Sequence, residues 1–289
     1  MDVGNFIDQS LREAVQAITI KPCPCRLAES LRYTLFPGGA RVRPKLVLAV
    51  ASACADALPV LAPKAAVAVE FLHCASLVQD DLRCFDDAKT RRGKPSVHVA
   101  FDERLAILAS DALIVAAFDV VSATHEADAQ RRLDMISLLS HRVGAVHGIT
   151  AGQAWECEEH INTDAYHQAK TGSLFAAATQ AGALSAGVDM APWARTGECI
   201  GAAYQIADDL HDVLGCENQM GKPVNVDATH GRPNAVAELG AAAAVVKLKG
   251  LIDEVIDTIP HCKNADRFID TVRLEATRFF PKEIARSAA

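Results

Sequence analysis

Two stretches of the sequence carry more carboxylates than an apolar helix can hold without compensation. The first, Val78-Gln79-Asp80-Asp81-Leu82-Arg83-Cys84-Phe85-Asp86-Asp87, ends a run that otherwise offers Val67, Phe71, Leu72 and Leu77 to a core. The second, Tyr204-Gln205-Ile206-Ala207-Asp208-Asp209-Leu210-His211-Asp212, is also embedded in an apolar run. Crowded carboxylates repel one another and lose hydration, so they need a metal or cations beside them. Asp208 and Asp212 are spaced to share one helix face. Asp80 and Asp86 fall about 240° apart around an ideal helix. For both to serve one site, the helix must unwind or bulge after Asp81. An all-oxygen donor set suits Mg2+, which keeps water ligands and bridges to phosphate oxygens. An EF-hand is excluded, because counting from Asp80 puts Leu82, Cys84 and Phe85 where two ligands and a glycine are required. Two solvated helix faces are the plain alternative for either cluster alone.

Cations follow in the same order. Lys89-Thr90-Arg91-Arg92-Gly93-Lys94-Pro95-Ser96 comes directly after the first cluster. Gly38-Gly39-Ala40-Arg41-Val42-Arg43-Pro44 lies upstream; Lys170-Thr171-Gly172 and Gly221-Lys222-Pro223 lie downstream. Arg forks and Lys point charges are the side chains that hold diphosphates. Each stretch alone reads equally as a basic surface loop. Taken together with two aspartate clusters in an apolar chain, they describe an Mg–diphosphate at the mouth of a greasy pocket. Neither a P-loop nor a dinucleotide-binding glycine motif is present, and no Ser/His/Asp or Cys/His constellation supplies a nucleophile.

Helices must position these groups. The chain has 289 residues, half of them hydrophobic, 52 of them alanine, with only 17 Gly and 12 Pro. That much of the best helix former favours helix over strand and excludes disorder. Helical runs are expected over Phe6–Ile18, Arg26–Leu35, Pro44–Ala57, Pro63–Asp81, Glu103–Thr124, Gln130–Gly148, Asp164–Ala186, Pro192–Leu214, Asn234–Ile259 and Ala265–Phe280. Polar loops span Cys84–Pro95 and Gly215–Pro233, and no alternating strand is evident. The expectation is an all-α bundle around a central apolar pocket, one domain over residues 1–289. The net charge of −7 disfavours a nucleic-acid partner. Nine scattered cysteines without a C-x-x-C pair suit reduced thiols in a cytoplasm. The N-terminus lacks a signal-peptide pattern, and the longest uncharged run, Thr171–Val188, is too polar for a membrane span.

In this order, from about Leu31 onward, the motifs resemble the trans-isoprenyl diphosphate synthases. The resemblance implies metal binding by Asp80, Asp86 and Asp208, with Asp81 and Asp212 supporting, and about three Mg2+ per site. It implies contacts to isopentenyl diphosphate from Arg43, His73 and Arg92. It likewise implies contacts to the allylic diphosphate (dimethylallyl, geranyl or farnesyl) from Arg91, Lys170, Thr171, Gln205 and Lys222, with Arg232 where relatives often carry another cation. A homodimer is implied as well. By itself, His73 also reads as a satisfied core histidine. Three positions depart from the family pattern. Ala40 replaces a usual Lys; Arg41 and Lys45 are neighbouring cations, but neither is the matching position. Gln79 stands where His is frequent. Arg83 replaces a frequent Pro and brings a cation that could pair with Asp86 or Asp87.

Product length is read from the turn before Asp80, where Ala75 and Ser76 line the path of the growing tail. Ala75 leaves that path open, and Ala112, Val115 and Ala116 on the next helix are small, with Phe118 a candidate floor. Small Ala75 and the four-residue gap between Asp81 and Asp86 resemble bacterial geranylgeranyl diphosphate synthases, so a C20 product is expected. Packing residues of an alanine-rich bundle are the plain alternative. Competing readings are a synthase stopping at farnesyl diphosphate, a terpenoid cyclase, and a weakly active regulatory subunit. Arg43, His73 and Arg92 argue against the cyclase; Ala40 and Arg83 favour the regulatory subunit.

Overall fold

The computed structural model describes residues 2–36, 39–214 and 234–276. Among these, helix dominates as the composition requires. The first helices are α1 (Val3–Ile18), α2 (Cys25–Leu35), α3 (Val42–Cys54) and α4 (Leu61–Asp80). A hairpin of β1 (Thr90–Arg91) and β2 (Lys94–Pro95) follows, then α5 (Val97–Ala100), α6 (Glu103–Ser122) and α7 (Ala129–Val143). Next come α8 (Ile149–Ala154), α9 (Thr163–His167), a π-helical turn at Gln168–Gly172, α10 (Ser173–Ser185) and α11 (Trp193–Leu214). The described chain closes with α12 (Ala235–Leu239), α13 (Ala241–Asp257) and α14 (Ala265–Ala276).

The contacts divide the chain into two compact units, Met1–Ser140 with Ala181–Asp189, and His141–Gln180 with Met190–Ala289. In the first, α4 is the core helix, buried almost all round and packed against α6, α3 and α1. Such a helix needs no amphipathic pattern, because it has no wet face. Alanines at 65, 68, 75, 106, 109 and 117 are buried along α4 and α6 and let their axes approach closely. The Ser110 hydroxyl donates to the Ala75 carbonyl at 3.2 Å and ties the two helices. α1 is amphipathic, burying Ile7, Leu11 and Val15 at four-residue spacing, and Asp2 caps its first turn.

In the second unit, α11 packs against α13 through Ala203, Ile206, Ala207, Leu210, Ala244 and Leu248. Trp193 and Phe268 meet edge to face at 5.5 Å. The helix expected over Asn234–Ile259 is broken at Gly240, whose φ of 80° closes α12 and opens α13. By length and composition, α4 and α6 could each cross a membrane. α4 is 72% buried within the protein and α6 only 39%, so α4 is a core helix and α6 keeps an uncovered apolar side.

Candidate active site

The first aspartate cluster is built by the end of α4. Asp81 N–H makes the last helical bond, to Leu77 C=O at 3.1 Å. The chain then coils, with Phe85 and Asp87 N–H both bonding Leu82 C=O at 3.0 Å. Asp86 N–H reaches back to Asp80 C=O at 3.0 Å, so two residues six apart in sequence become backbone neighbours. This is the unwinding that the spacing of Asp80 and Asp86 demands. Buried Leu82 and half-buried Phe85 anchor the coil against Val78, Val97, Ala106, Tyr33 and Phe101.

The paired aspartates part company. Asp81 is 3% exposed and turned inward, where one carboxylate oxygen accepts from Arg91 Nε at 3.0 Å and Nη2 at 2.5 Å. Burial works against the Arg91 charge, but Asp81, with Asp80 and Asp86 nearby, outweighs it and lifts the guanidinium pKa. Arg83 departs from expectation. It meets Glu103 in the first turn of α6 at 3.6 Å, both side chains well exposed, while Asp87 takes Lys89 at 2.7 Å. The tight turn from Leu82 to Phe85 buries its apolar ends and leaves position 83 facing solvent.

Arg91, Arg92 and Lys94 sit on the hairpin, where the sequence predicts a polar loop. Arg92 and Gly93 both have positive φ, 53° and 74°. That is the two-residue turn whose twist suits a tight hairpin, and the Arg-Gly step before Lys-Pro is its only sequence trace. Tyr33 fixes the hairpin, donating to Pro95 C=O at 2.7 Å and lying under Lys94 Nζ. Tyr33, Cys74, Leu77, Asp81, Arg91 and Arg92 line the cleft behind it.

Arg43 on α3 and His73 on α4 meet at 3.4 Å between Nη1 and Nε2. Burial, and then the surrounding arginines Arg43, Arg92, Arg91 and Arg41, hold His73 well below the usual histidine range. It is therefore a neutral ring that accepts from Arg43. Burial, reinforced by Glu70, pushes the Cys74 thiol up to about 12, which makes it inert. Gly39 is small for a reason, since a Cβ there would lie 2.7 Å from Arg92 Cζ. Arg41 does not replace the cation missing at Ala40. It is 5% exposed, has a left-handed φ of 51°, and bonds Glu70, Asp8 and the Leu35 carbonyl. Lys45 is half-buried on α3.

In the second unit the Lys170-Thr171-Gly172 stretch forms the π-helical turn, marked by the bond from Ser173 N–H to Gln168 C=O five residues back. Glycines bring neighbouring helices onto it. A Cβ at Gly152 of α8 would lie 2.4 Å from Lys170 N, and one at Gly201 of α11 would lie 2.8 Å from Gly172 Cα. Thr171 Oγ1 donates to Gln205 Oε1 at 2.8 Å, and Gln205 Nε2 donates to Asp209 Oδ1 at 2.9 Å. The second oxygen of Asp209 accepts from Ala235 N–H at 2.8 Å, at the start of α12. Asp209 is 1% exposed, whereas Asp208 is half-exposed. In both pairs the following aspartate is buried and locks a neighbour, while the leading one is only half-buried.

Sequence reasoning missed Glu156, which pairs with Lys170 and accepts from Tyr166 at 2.8 Å. It also missed Gln153, whose amide nitrogen is buried without an acceptor among the described residues. Lys222, Arg232 and the side chain of Asp212 lie outside what the structure describes. Ala75 is 1% exposed beneath Asp80, with half-buried Ser76 beside it and half-buried Phe118 on α6. Val115, expected among the small pocket residues, is instead 68% exposed on the outer side of α6.

Among the described residues no three His, Cys, Asp or Glu side chains converge into a ready-made metal cage. Mg2+ takes one or two carboxylates and completes its shell with water and phosphate. Asp80 and Asp86, backbone neighbours at the coil, carry carboxylate oxygens of the type such an ion takes. A largely helical chain with one Asp-Asp pair at the end of α4, beside Arg91, and another within α11 has the residue chemistry that diphosphate handling needs.

The polyprenyl synthetase family profile matches residues 24–266, and the chain belongs to that family. Geranylgeranyl diphosphate synthases from Cereibacter sphaeroides and Rhodobacter capsulatus are 47% and 45% identical to it. The alignments cover 96% of this chain in both cases, and 97% and 96% of the relatives. The farnesyl diphosphate synthase of Escherichia coli is 36% identical over 96% of this chain and 97% of its own. Among solved structures, the Helicobacter pylori geranyltransferase complexed with magnesium and isoprenyl diphosphate superposes with a TM-score of 0.79 at 25% identity, covering 96% of this chain and 98% of that one.

Proposed function

We propose that this protein condenses isopentenyl diphosphate head-to-tail with an allylic diphosphate and that its product is geranylgeranyl diphosphate (C20). The acidic coil carries the reading, because it brings Asp86 onto Asp80 while Asp81 holds Arg91 beside them. The relatives named above at 47% and 45% identity are geranylgeranyl diphosphate synthases, and the farnesyl enzyme named above is less similar at 36%. Residues 24–266 match one family profile that runs through both units, which supports reading residues 1–289 as one catalytic domain.

Asp80, Asp86 and Asp208 would hold Mg2+, with Asp81 and Asp212 in support; when bound, the metal neutralises diphosphate charge as a Lewis acid. Arg91, Lys170 and Lys222 stabilise the departing diphosphate as the allylic C–O bond ionises. Thr171 and Gln205, already bonded to each other, hold the allylic partner in place. Arg43, Arg92 and neutral His73 position isopentenyl diphosphate so that its double bond attacks the allyl cation. Loss of a proton to the released diphosphate completes the new double bond, so no protein nucleophile is consumed.

Ala75, Ser76 and Phe118 line the path of the growing tail in this reading. Ala75→Phe is expected to shift the product from C20 toward C15, and an unchanged product would remove Ala75 from the path. Exposed Ile107, Leu108 and Val115 lie on one side of α6, with Asp111 among them, and this mixed surface would suit a second copy, supporting a homodimer. The eight cysteines among the described residues are all free thiols, which supports a cytoplasmic setting. Product analysis with C5, C10 and C15 primers, with and without Mg2+, tests the whole reading. A series ending at C15 would overturn the C20 assignment, and Mg-independent turnover would overturn the metal assignment.

A further inference from the structure

We infer that Glu70 is a positioning residue for the isopentenyl diphosphate subsite, acting through Arg41. The inference rests on the assignment of Arg43, His73 and Arg92 to that subsite. The segment from Gly39 to Arg43 has three alternate positions with separate tasks. Gly39 leaves the space that the Arg92 guanidinium occupies. Arg43 reaches His73. Arg41, between them, turns into the core. There its Nη1 meets Glu70 Oε1 at 2.5 Å, its Nη2 donates to Leu35 C=O at 2.8 Å, and its Nε donates to Asp8 Oδ1 at 3.1 Å.

The two contacts cross-link the same elements. Glu70 and His73 lie one turn apart on α4, while Arg41 and Arg43 open α3. Pinning Arg41 to Glu70 therefore narrows the directions from which Arg43 can reach His73. Arg41 keeps a left-handed backbone that non-glycine residues avoid, so its three bonds must fix that conformation. Burial opposes its charge, but Glu70, through both charge and hydrogen bond, outweighs that and raises its pKa. Glu70 and Arg41 side chains are 2% and 3% exposed. A buried ion pair contributes little to stability that a well-packed apolar pair would not. What the ionic pair supplies is a defined direction for the backbone between Gly39 and Arg43.

The test measures KM for isopentenyl diphosphate, KM for the allylic partner and the melting temperature of each variant. Glu70→Gln should raise KM for isopentenyl diphosphate roughly 10-fold or more while the allylic KM stays within about 2-fold. The double variant Arg41→Met with Glu70→Met separates positioning from stability. It should melt near the wild type yet keep the raised KM. Should Glu70→Gln fail to fold, Asp8→Ala, at the accessible end of the network, should still raise the same KM about 3-fold. A double variant with both wild-type melting and wild-type KM would overturn the inference, as would equal rises in both KM values. Arg43→Ala isolates the underlying assignment. If it leaves KM for isopentenyl diphosphate unchanged, the subsite assignment falls and the inference with it. If it raises KM and Glu70→Gln does not, only the positioning role falls.

Discussion

Asp80→Ala is expected to lower kcat/KM by about three orders of magnitude, while Asp81→Asn leaves the Mg2+ requirement intact. Two adjacent carboxylates thus give different results. Asp80 ends α4 at the point where the coil returns Asp86 to it. In the proposed mechanism, removing its carboxylate takes away one of the oxygen donors assigned to the metal that neutralises the leaving diphosphate. Asp81 is buried, and its oxygen receives two donors of Arg91. Asn keeps the shape and one acceptor but loses the charge that holds the guanidinium. Arg91 then loses its fixed aim, and the allylic KM should rise roughly 10-fold. The Mg2+ concentration giving half-maximal rate should move by less than about 2-fold. Steady-state rates over a magnesium series for both variants decide the matter. A strong shift in magnesium requirement for Asp81→Asn would make it a ligand instead of an anchor, and a mild effect of Asp80→Ala would displace the metal site.

That division was not legible in the sequence, although the clusters were. An Asp-Asp pair at the end of a helix shows two equivalent letters; only the wound backbone decides which one faces the core. The same holds for Asp208 and Asp209, where the start of α12 arrives 26 residues later to claim Asp209. The need for a break after Asp81 was legible, because helical periodicity alone sets Asp80 and Asp86 on different sides. Glu156 was hidden by its surroundings. It stands in Trp155-Glu156-Cys157-Glu158-Glu159, which reads as a solvated acidic stretch, yet it is the partner of both Tyr166 and Lys170. Those two, one helical turn apart, were the available signal that an acid had to meet that face. Arg41 is the opposite case. A cation in a basic stretch suggests a phosphate partner, and its acid, Glu70, lies in an apolar run where a charge should have raised the question of what satisfies it.

Gly152→Ala should destabilise the protein by about 1–3 kcal/mol, and Gly250→Ala should stabilise it by about 0.5–1 kcal/mol. Both glycines lie inside helices, α8 and α13, where alanine is normally the better residue. Their surroundings set the sign. A Cβ at Gly250 meets nothing within 4 Å, so only the conformational entropy of the unfolded chain changes. A Cβ at Gly152 would fall 2.4 Å from Lys170 N and 2.5 Å from Lys170 Cα. Those are backbone atoms of the π-helical turn, which cannot swing aside as a side-chain tip can. Relieving the overlap must push the turn that presents Lys170 and Thr171, so the loss of stability comes with a loss of function. A displacement of about 1 Å at positioning groups costs on the order of 100-fold in rate. The allylic kcat/KM should fall by about that factor, with KM for isopentenyl diphosphate changing far less. Thermal melts of the two variants check the opposite signs, and steady-state kinetics check the coupling. Wild-type melting together with wild-type allylic kinetics in Gly152→Ala would show that the turn yields without cost, and α8 would then have no part in aiming Lys170.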